Sequence, residues 1–280
     1  MFEPDVTIEV TTPAGGTVAL ALDDRGDGEE TPLVLVHGFT GGRIDFADVT
    51  DALAGQRRVV AWDHRGHSDS TNTGDPSTYT FEVLATDAVA VLDHLGIERF
   101  HLVGHSMGGI VAQHVVRRHP GRVVSLVLMD TLAEPAGGGI PKEWIDRVVT
   151  IGRAEGMGVV ADFMAEVTSD MSVALEPDRP KIAARNHHKL SHMDVEAFES
   201  LGTELREFES LVPWLGAIAC PTTVLVGEHD GGLHGQADLI AASIDGATQV
   251  VIEGAGHCPQ EERTVAWLEA VRAHLARADR

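Results

Sequence analysis

A serine, a histidine and three carboxylates stand in this chain where nucleophilic chemistry could be built. Ser106 lies in Phe100-His101-Leu102-Val103-Gly104-His105-Ser106-Met107-Gly108-Gly109: an apolar run, then Gly-x-Ser-x-Gly, then a helical pattern over 110–118. Glycines on both sides of a serine permit a tight, strained turn that lifts the hydroxyl to a helix N-terminus, where the helix dipole favours developing negative charge. A serine hydroxyl is a weak nucleophile and needs a base. Among 15 histidines, His257 stands in Gly254-Ala255-Gly256-His257-Cys258, directly after the apolar run 248–252. Imidazole titrates near neutrality, which suits it to that task. The base in turn needs an orienting carboxylate. Asp230 follows the run 222–226 in Gly227-Glu228-His229-Asp230; Asp130, after the run 123–129, and Glu228 are its rivals. Motif context and the chain order nucleophile, acid, base favour Asp230.

These residues must be positioned by a scaffold, and the pattern supplies one. Alternating segments at 6–11 and 17–22 flank Pro13-Ala14-Gly15-Gly16 and read as an antiparallel hairpin, followed by an acidic loop over 23–31. Continuous apolar runs at 32–36, 58–62, 100–103, 123–129, 222–226 and 248–252 read as buried strands. Helical periodicity fills most intervals, at 81–95, 110–118, 237–243 and 265–275. The expectation is an α/β fold with a mostly parallel central sheet flanked by helices. One stretch breaks the rhythm. Residues 132–213 contain no convincing buried strand but helical patterns at 144–153, 159–167, 180–190 and 195–208, entered through Gly137-Gly138-Gly139. The expected organisation is a core of residues 1–131 and 214–280, with 132–213 a helical cap inserted after the sixth strand. A cap there would cover the edge of the sheet where ligands bind in open α/β sheets.

Four segments carry a family resemblance: His37-Gly38-Phe39-Thr40-Gly41-Gly42, Asp63-His64-Arg65-Gly66-His67-Ser68, the Ser106 turn, and Gly227-Glu228-His229-Asp230 paired with Gly256-His257. Over nearly its whole length outside the cap, the chain resembles the α/β-hydrolase superfamily, especially bacterial esterases and enol-lactone hydrolases. That resemblance implies an oxyanion hole from the backbone N–H groups of Phe39 and Met107, each donor worth roughly 3 kcal/mol of activation barrier. It also implies a departure, since the family usually has glycine where Ser68 stands. Related dehalogenases and epoxide hydrolases carry aspartate at the position of Ser106, whereas serine points to acyl chemistry through an acyl-enzyme, with no metal or cofactor. The expected substrate is a small carboxylic ester or lactone. The rival activity is hydrolysis of carbon–carbon bonds in ring-cleavage products, and a rival of another class is a non-catalytic ligand receptor on the same fold.

Composition bounds the partners. With 43 acidic against 21 basic residues the formal net charge is −22, a poor surface for nucleic acid or anionic membranes. Neither a signal segment nor an apolar run of about 20 residues is present in the sequence, so a cytoplasmic location without membrane partners is expected. For the substrate pocket, His105, Trp144, Phe163, Met164, His192 and Trp214 are the candidates, although core packing would explain the aromatics equally well. His187, His188 and His192 lie close in sequence, but no carboxylate signature accompanies them and no metal is expected.

Overall fold

The computed structural model describes residues 2–13, 15–136, 139–168 and 179–280. Strand β1 (Val6–Thr12) pairs antiparallel with the start of β2 (Gly16–Val36), Val6 opposite Leu22 and Thr11 opposite Thr17. Ala14, in the turn between them, lies outside the described residues, as do Gly137 and Gly138. The acidic stretch 23–31 departs from the expected loop: it is extended up to the apolar run, so β2 is one strand of 21 residues. Its charges find partners on β3 (Arg57–Trp62). Arg58 donates to both Asp24 carboxylate oxygens at 2.8 and 2.7 Å, and Arg57 pairs with Glu30. Strand β3 therefore lies between the two halves of β2. Leu22 to Arg25 meet Trp62 back to Val59 in the antiparallel sense, whereas Leu33, Val34 and Leu35 meet Val59, Val60 and Ala61 in ascending order.

From that second half the sheet continues in parallel through β4 (Phe100–His105), β5 (Val123–Met129), β6 (Thr222–Gly227) and β7 (Thr248–Ile252). Every residue of β4 and β6 is buried, as strands covered on both faces should be, while the edge strand β7 leaves Val251 about half exposed. Side chains alternate between two apolar clusters. Val34, Val36, Leu102 and Leu128 face one; Leu33, Leu35, Val103 and Val127 face the other, against Trp267 and Val271. Each fully buried Leu or Val of this kind contributes about 1.5–3 kcal/mol.

The flanking helices are α1 (Thr50–Leu53), α2 (Phe81–His94), α3 (Met107–Arg118), α4 (Lys142–Glu155), α5 (Met157–Thr168), α6 (Arg179–Ser191), α7 (Val195–Glu207), α8 (Val212–Leu215), α9 (His234–Ser243), α10 (Pro259–Glu262) and α11 (Thr264–Ala278). Helices α4 to α8 fill the interval between β5 and β6, which follows the sixth strand once the halves of β2 are counted separately. Helices α4 and α7 attach by apolar contact, with Ile145, Val148, Phe198 and Leu201 in the first cluster. Helix α6 adds charge to apolar contact, with Leu190 in the first cluster. Lys181, Arg185 and Lys189, spaced four apart and so on one helix face, pair with Asp48, Asp48 and Asp45 respectively.

Candidate active site

The turn at Ser106 is built by close approach. A Cβ on Gly104 would lie 2.5 Å from the Gly108 carbonyl oxygen, and one on Gly108 would lie 2.3 Å from that of Val36. Strand and helix can meet at this distance only without side chains. Ser106 itself adopts φ 52° and ψ −122°, a conformation that costs a non-glycine residue about 1–3 kcal/mol. Its N–H donates to Met129 O at 2.9 Å; its carbonyl accepts from Gly109 N–H at 2.9 Å and from Thr131 Oγ1 at 2.6 Å. Among the described residues three other non-glycine residues have positive φ: Thr40 after β2, Ser68 after β3 and Asp130 after β5. Backbone strain is thus concentrated along one edge of the sheet. At Ser68 the left-handed conformation, φ 46°, is adopted by a serine.

Ser106 Oγ lies 3.1 Å from His257 Nε2, and His257 Nδ1 lies 2.6 Å from Asp230 Oδ2. The loops after β4, β6 and β7 bring these three together. Burial pulls the Asp230 carboxyl upward, but hydrogen bonding and attraction from His257 outweigh it and leave Asp230 below the ordinary carboxylate range. His105 donates from Nε2 to the His257 carbonyl at 2.7 Å. Burial pushes His105 down to about 4, so its ring is neutral and fixes the His257 loop without serving as a base.

The three candidate carboxylates separate cleanly. Glu228 accepts from Gly254 N–H at 2.7 Å and holds two loops together. Asp130 is 1% exposed, and its Oδ1 accepts from Gly227 N–H at 2.8 Å. Burial, reinforced by the Asp230 charge, raises Asp130 to about 9. Only Asp230 bonds to the histidine ring. Asp130, Asp230 and His257 offer ligand atoms within 4.8 Å of one another and are the described residues that could hold a metal ion. His257 Nδ1 is already engaged by Asp230, however, and Nε2 faces the serine. Of the histidines of α6 and its C-terminal end, the His188 and His192 rings lie 4.3 Å apart between centroids, and each of the three has a partner: His187 bonds Asp162, His188 bonds Asp69, and His192 Nδ1 bonds the His188 carbonyl.

The Phe39 loop packs directly on Ser106, since a Cβ on Gly38 would lie 2.9 Å from the serine Cβ. His37 fixes that loop, donating from Nδ1 to Gly38 O at 2.8 Å and accepting the His64 N–H on Nε2 at 2.9 Å. Among the described residues no hydrogen bond occupies the N–H of Phe39 or of Met107, the first residue of α3.

Ser106 and His257 open into a cavity of about 400 Å³. Phe39, Met164, Ile182 and Leu190 supply apolar wall; Asp45, Lys189 and Glu261 form a polar patch. Of the sequence candidates, His105 and Met164 line this cavity. The other four do not. Trp144 stacks on Phe198 at 5.4 Å, and Phe163 lies beneath Arg147 at 4.9 Å. His192 lines a separate surface groove beside Ser68 and Asp194, and Trp214 stacks with Arg117 in another, 46% exposed. Sequence reasoning missed Asp45, Lys189 and Glu261. The four-residue spacing of the α6 cations was the available signal. Cys258 also lines the cavity, but burial raises its thiol well above the ordinary value and keeps it protonated.

A strained serine turn, a histidine–aspartate pair and a parallel sheet of this order together define a hydrolase architecture. The family model described as alpha/beta hydrolase fold matches residues 31–264, and the chain belongs to that family. It is 31% identical, over 95% of its length and 93% of the relative's, to a 2-hydroxy-6-oxononadienedioate/2-hydroxy-6-oxononatrienedioate hydrolase of Escherichia coli O81 (strain ED1a). A 42% match covers 41% of the chain but only 30% of the dihydrolipoyllysine-residue acetyltransferase component of the acetoin cleaving system of Pseudomonas putida. Among solved structures, a thermophilic esterase from Thermogutta terrifontis superposes with TM-score 0.83 at 30% identity, covering 98% of this chain and 100% of that one. The enol-lactonase from Burkholderia xenovorans LB400 gives TM-score 0.78 at 27% identity, with 92% and 97% covered. No helix among the described residues is long and apolar enough to cross a membrane.

Proposed function

We propose that the chain is a serine hydrolase of carboxylic esters or lactones, with α4 to α8 forming a cap over the reaction site. The observation that carries the reading is the continuous path from Ser106 Oγ through the His257 ring to the Asp230 carboxylate, opening into the cavity. His257 Nε2 takes the hydroxyl proton as Ser106 Oγ attacks the substrate carbonyl carbon. Asp230 holds the Nδ1–H tautomer and stabilises the imidazolium that forms. The oxyanion is received by Phe39 N–H and Met107 N–H. His257 then returns the proton to the leaving alkoxide, giving an acyl ester on Ser106. Water, deprotonated by the same nitrogen, releases the acid and restores the serine.

The similarity to the nonadienedioate hydrolase supports a second reading, carbon–carbon hydrolysis. A dioate carries two carboxylates, and the polar patch argues against receiving one. Lys189 is the only lysine or arginine lining the cavity among the described residues; it is held by Asp45, with Glu261 beside it. A neutral substrate with an apolar acyl portion fits this lining better. The test compares p-nitrophenyl esters from acetate to octanoate and simple lactones with a 2-hydroxy-6-oxo-dienedioate. Ester or lactone turnover well above that of the dioate supports the reading. Efficient turnover of the dioate with negligible ester turnover would replace it with the second.

A further inference from the structure

The relay described above uses the carboxylate after β6, yet the carboxylate after β5 sits against it and has no assigned task. Asp130 is buried, held in a left-handed conformation at φ 45°, and bound on one side only. Its Oδ1 accepts the Gly227 N–H at 2.8 Å, which ties the ends of β5 and β6 together. Its Oδ2 is buried and no donor group among the described residues reaches it. Asp130, Asp230 and His257 all have atoms within one 4.8 Å cluster. Of the groups that bear on Asp130, Asp230 comes from the loop after β6, His257 from the loop after β7, and Glu262 from α10. Two are carboxylates and none is a fixed cation, so a second buried negative charge here would be unpaired.

We infer that Asp130 is a positioning residue: as a neutral carboxylic acid it donates its Oδ2 proton toward Asp230 and steadies the carboxylate that orients His257. The proposal rests on the Ser106–His257–Asp230 reading. A carboxylic acid can do at this position what a carboxylate cannot, because ionised Asp130 would have no proton to give and would repel its neighbour. The loss of that proton as the pH rises past about 9 makes the arrangement testable. An ionised Asp130 would have no proton to donate, and its charge would repel the Asp230 carboxylate that orients the His257 ring.

The experiment measures kcat and KM for a p-nitrophenyl ester from pH 6 to 10.5, correcting for spontaneous hydrolysis, in wild type, Asp130→Asn, Asp130→Leu and Asp230→Asn. Melting temperatures are recorded for each. An asparagine amide keeps an oxygen for Gly227 N–H and a permanent N–H donor for Asp230, whereas leucine keeps neither. Asp130→Leu should lose about 10- to 100-fold in kcat with little change in KM, and Asp130→Asn should recover most of that loss. Wild-type kcat/KM should fall as the pH passes about 9, and Asp130→Asn should lack that fall. A purely structural Asp130 would lower the melting temperature without moving the alkaline limb. Coincident profiles for wild type and Asp130→Asn would overturn the proposal, as would an asparagine variant no better than leucine. Should Asp230→Asn keep near-wild-type activity while both Asp130 variants lose it, Asp130 would be the relay acid and the positioning role would be wrong. Loss of ester turnover in Ser106→Ala tests the underlying reading separately.

Discussion

The edge of the sheet and helix α6 face each other across the same cavity, but different forces hold them. Ser106, Asp130 and the Phe39 loop are held by backbone hydrogen bonds, glycine close approach and strands buried on both faces. Helix α6 presents apolar side chains to the cavity and is tied to the segment beneath by Lys181, Arg185 and Lys189. On the proposed function, reaction geometry resides in main-chain positions that tolerate little change, and substrate choice in side chains that could be exchanged with the backbone left intact.

Substitutions on the two sides should accordingly fail in different ways. The largest effect is expected at the edge itself. Ser106→Ala should reduce ester kcat by roughly 10⁴-fold or more while the melting temperature stays near or slightly above wild type, since the strained turn remains. Activity within tenfold of wild type, measured in protein free of contaminating esterase, would break the comparison at its root. One layer below, Leu35→Ala removes a fully buried side chain beneath the site and should cost about 2–5 kcal/mol in denaturant unfolding. A loss under 1 kcal/mol would mean that the sheet is less well packed than its burial indicates.

Acid should find the same weakness without mutation. Burial depresses His67, His105, His114 and His274 to about 4, against 6.5 when unfolded. Between those values the unfolded chain binds protons that the native one refuses. Their stabilising contribution is thus present above about pH 6.5 and is lost progressively as the pH falls toward 4. Thermal melts should drop by about 10 °C or more from pH 7.5 to pH 5; a flat profile over that range would contradict the buried neutral rings. The smallest effect belongs to α6. Ile182→Phe narrows the cavity and should lower octanoate kcat/KM about tenfold relative to acetate, with acetate turnover nearly unchanged. Equal losses on both esters would mean that this residue supports the fold and does not select the acyl chain.

Legibility in the sequence follows the same division. The strand–turn–helix at 100–118 could be read because its glycines, apolar run and helical period are all local. Ser106, His257 and Asp230 could each be set on a loop after an apolar run for the same reason, though their mutual distances could not. The four pocket candidates that do not line the Ser106 cavity show where local pattern stops. Trp144 and Phe163 belong to amphipathic helices, but cavity wall and protein interior are both apolar, so periodicity does not say which one a side chain meets. The Lys189–Asp45 pair joins residues 144 apart, and nothing near either residue announces the other. The extended acidic stretch was hidden likewise, because its partners Arg57 and Arg58 lie on another strand. Asp130 could be recognised as a candidate acid from its place after β5, but its neutral state depends on burial beside Asp230, a property of the assembled fold.

The central claim is that the fold activates Ser106 as the nucleophile, and covalent labelling addresses it directly. Wild-type protein treated with a fluorophosphonate probe should gain one adduct per chain, located by peptide mass spectrometry on Ser106, with ester turnover lost in proportion. Ser106→Ala should gain none. An enzyme that hydrolyses esters while carrying its adduct on another residue, or that remains unlabelled at full activity, would contradict the account.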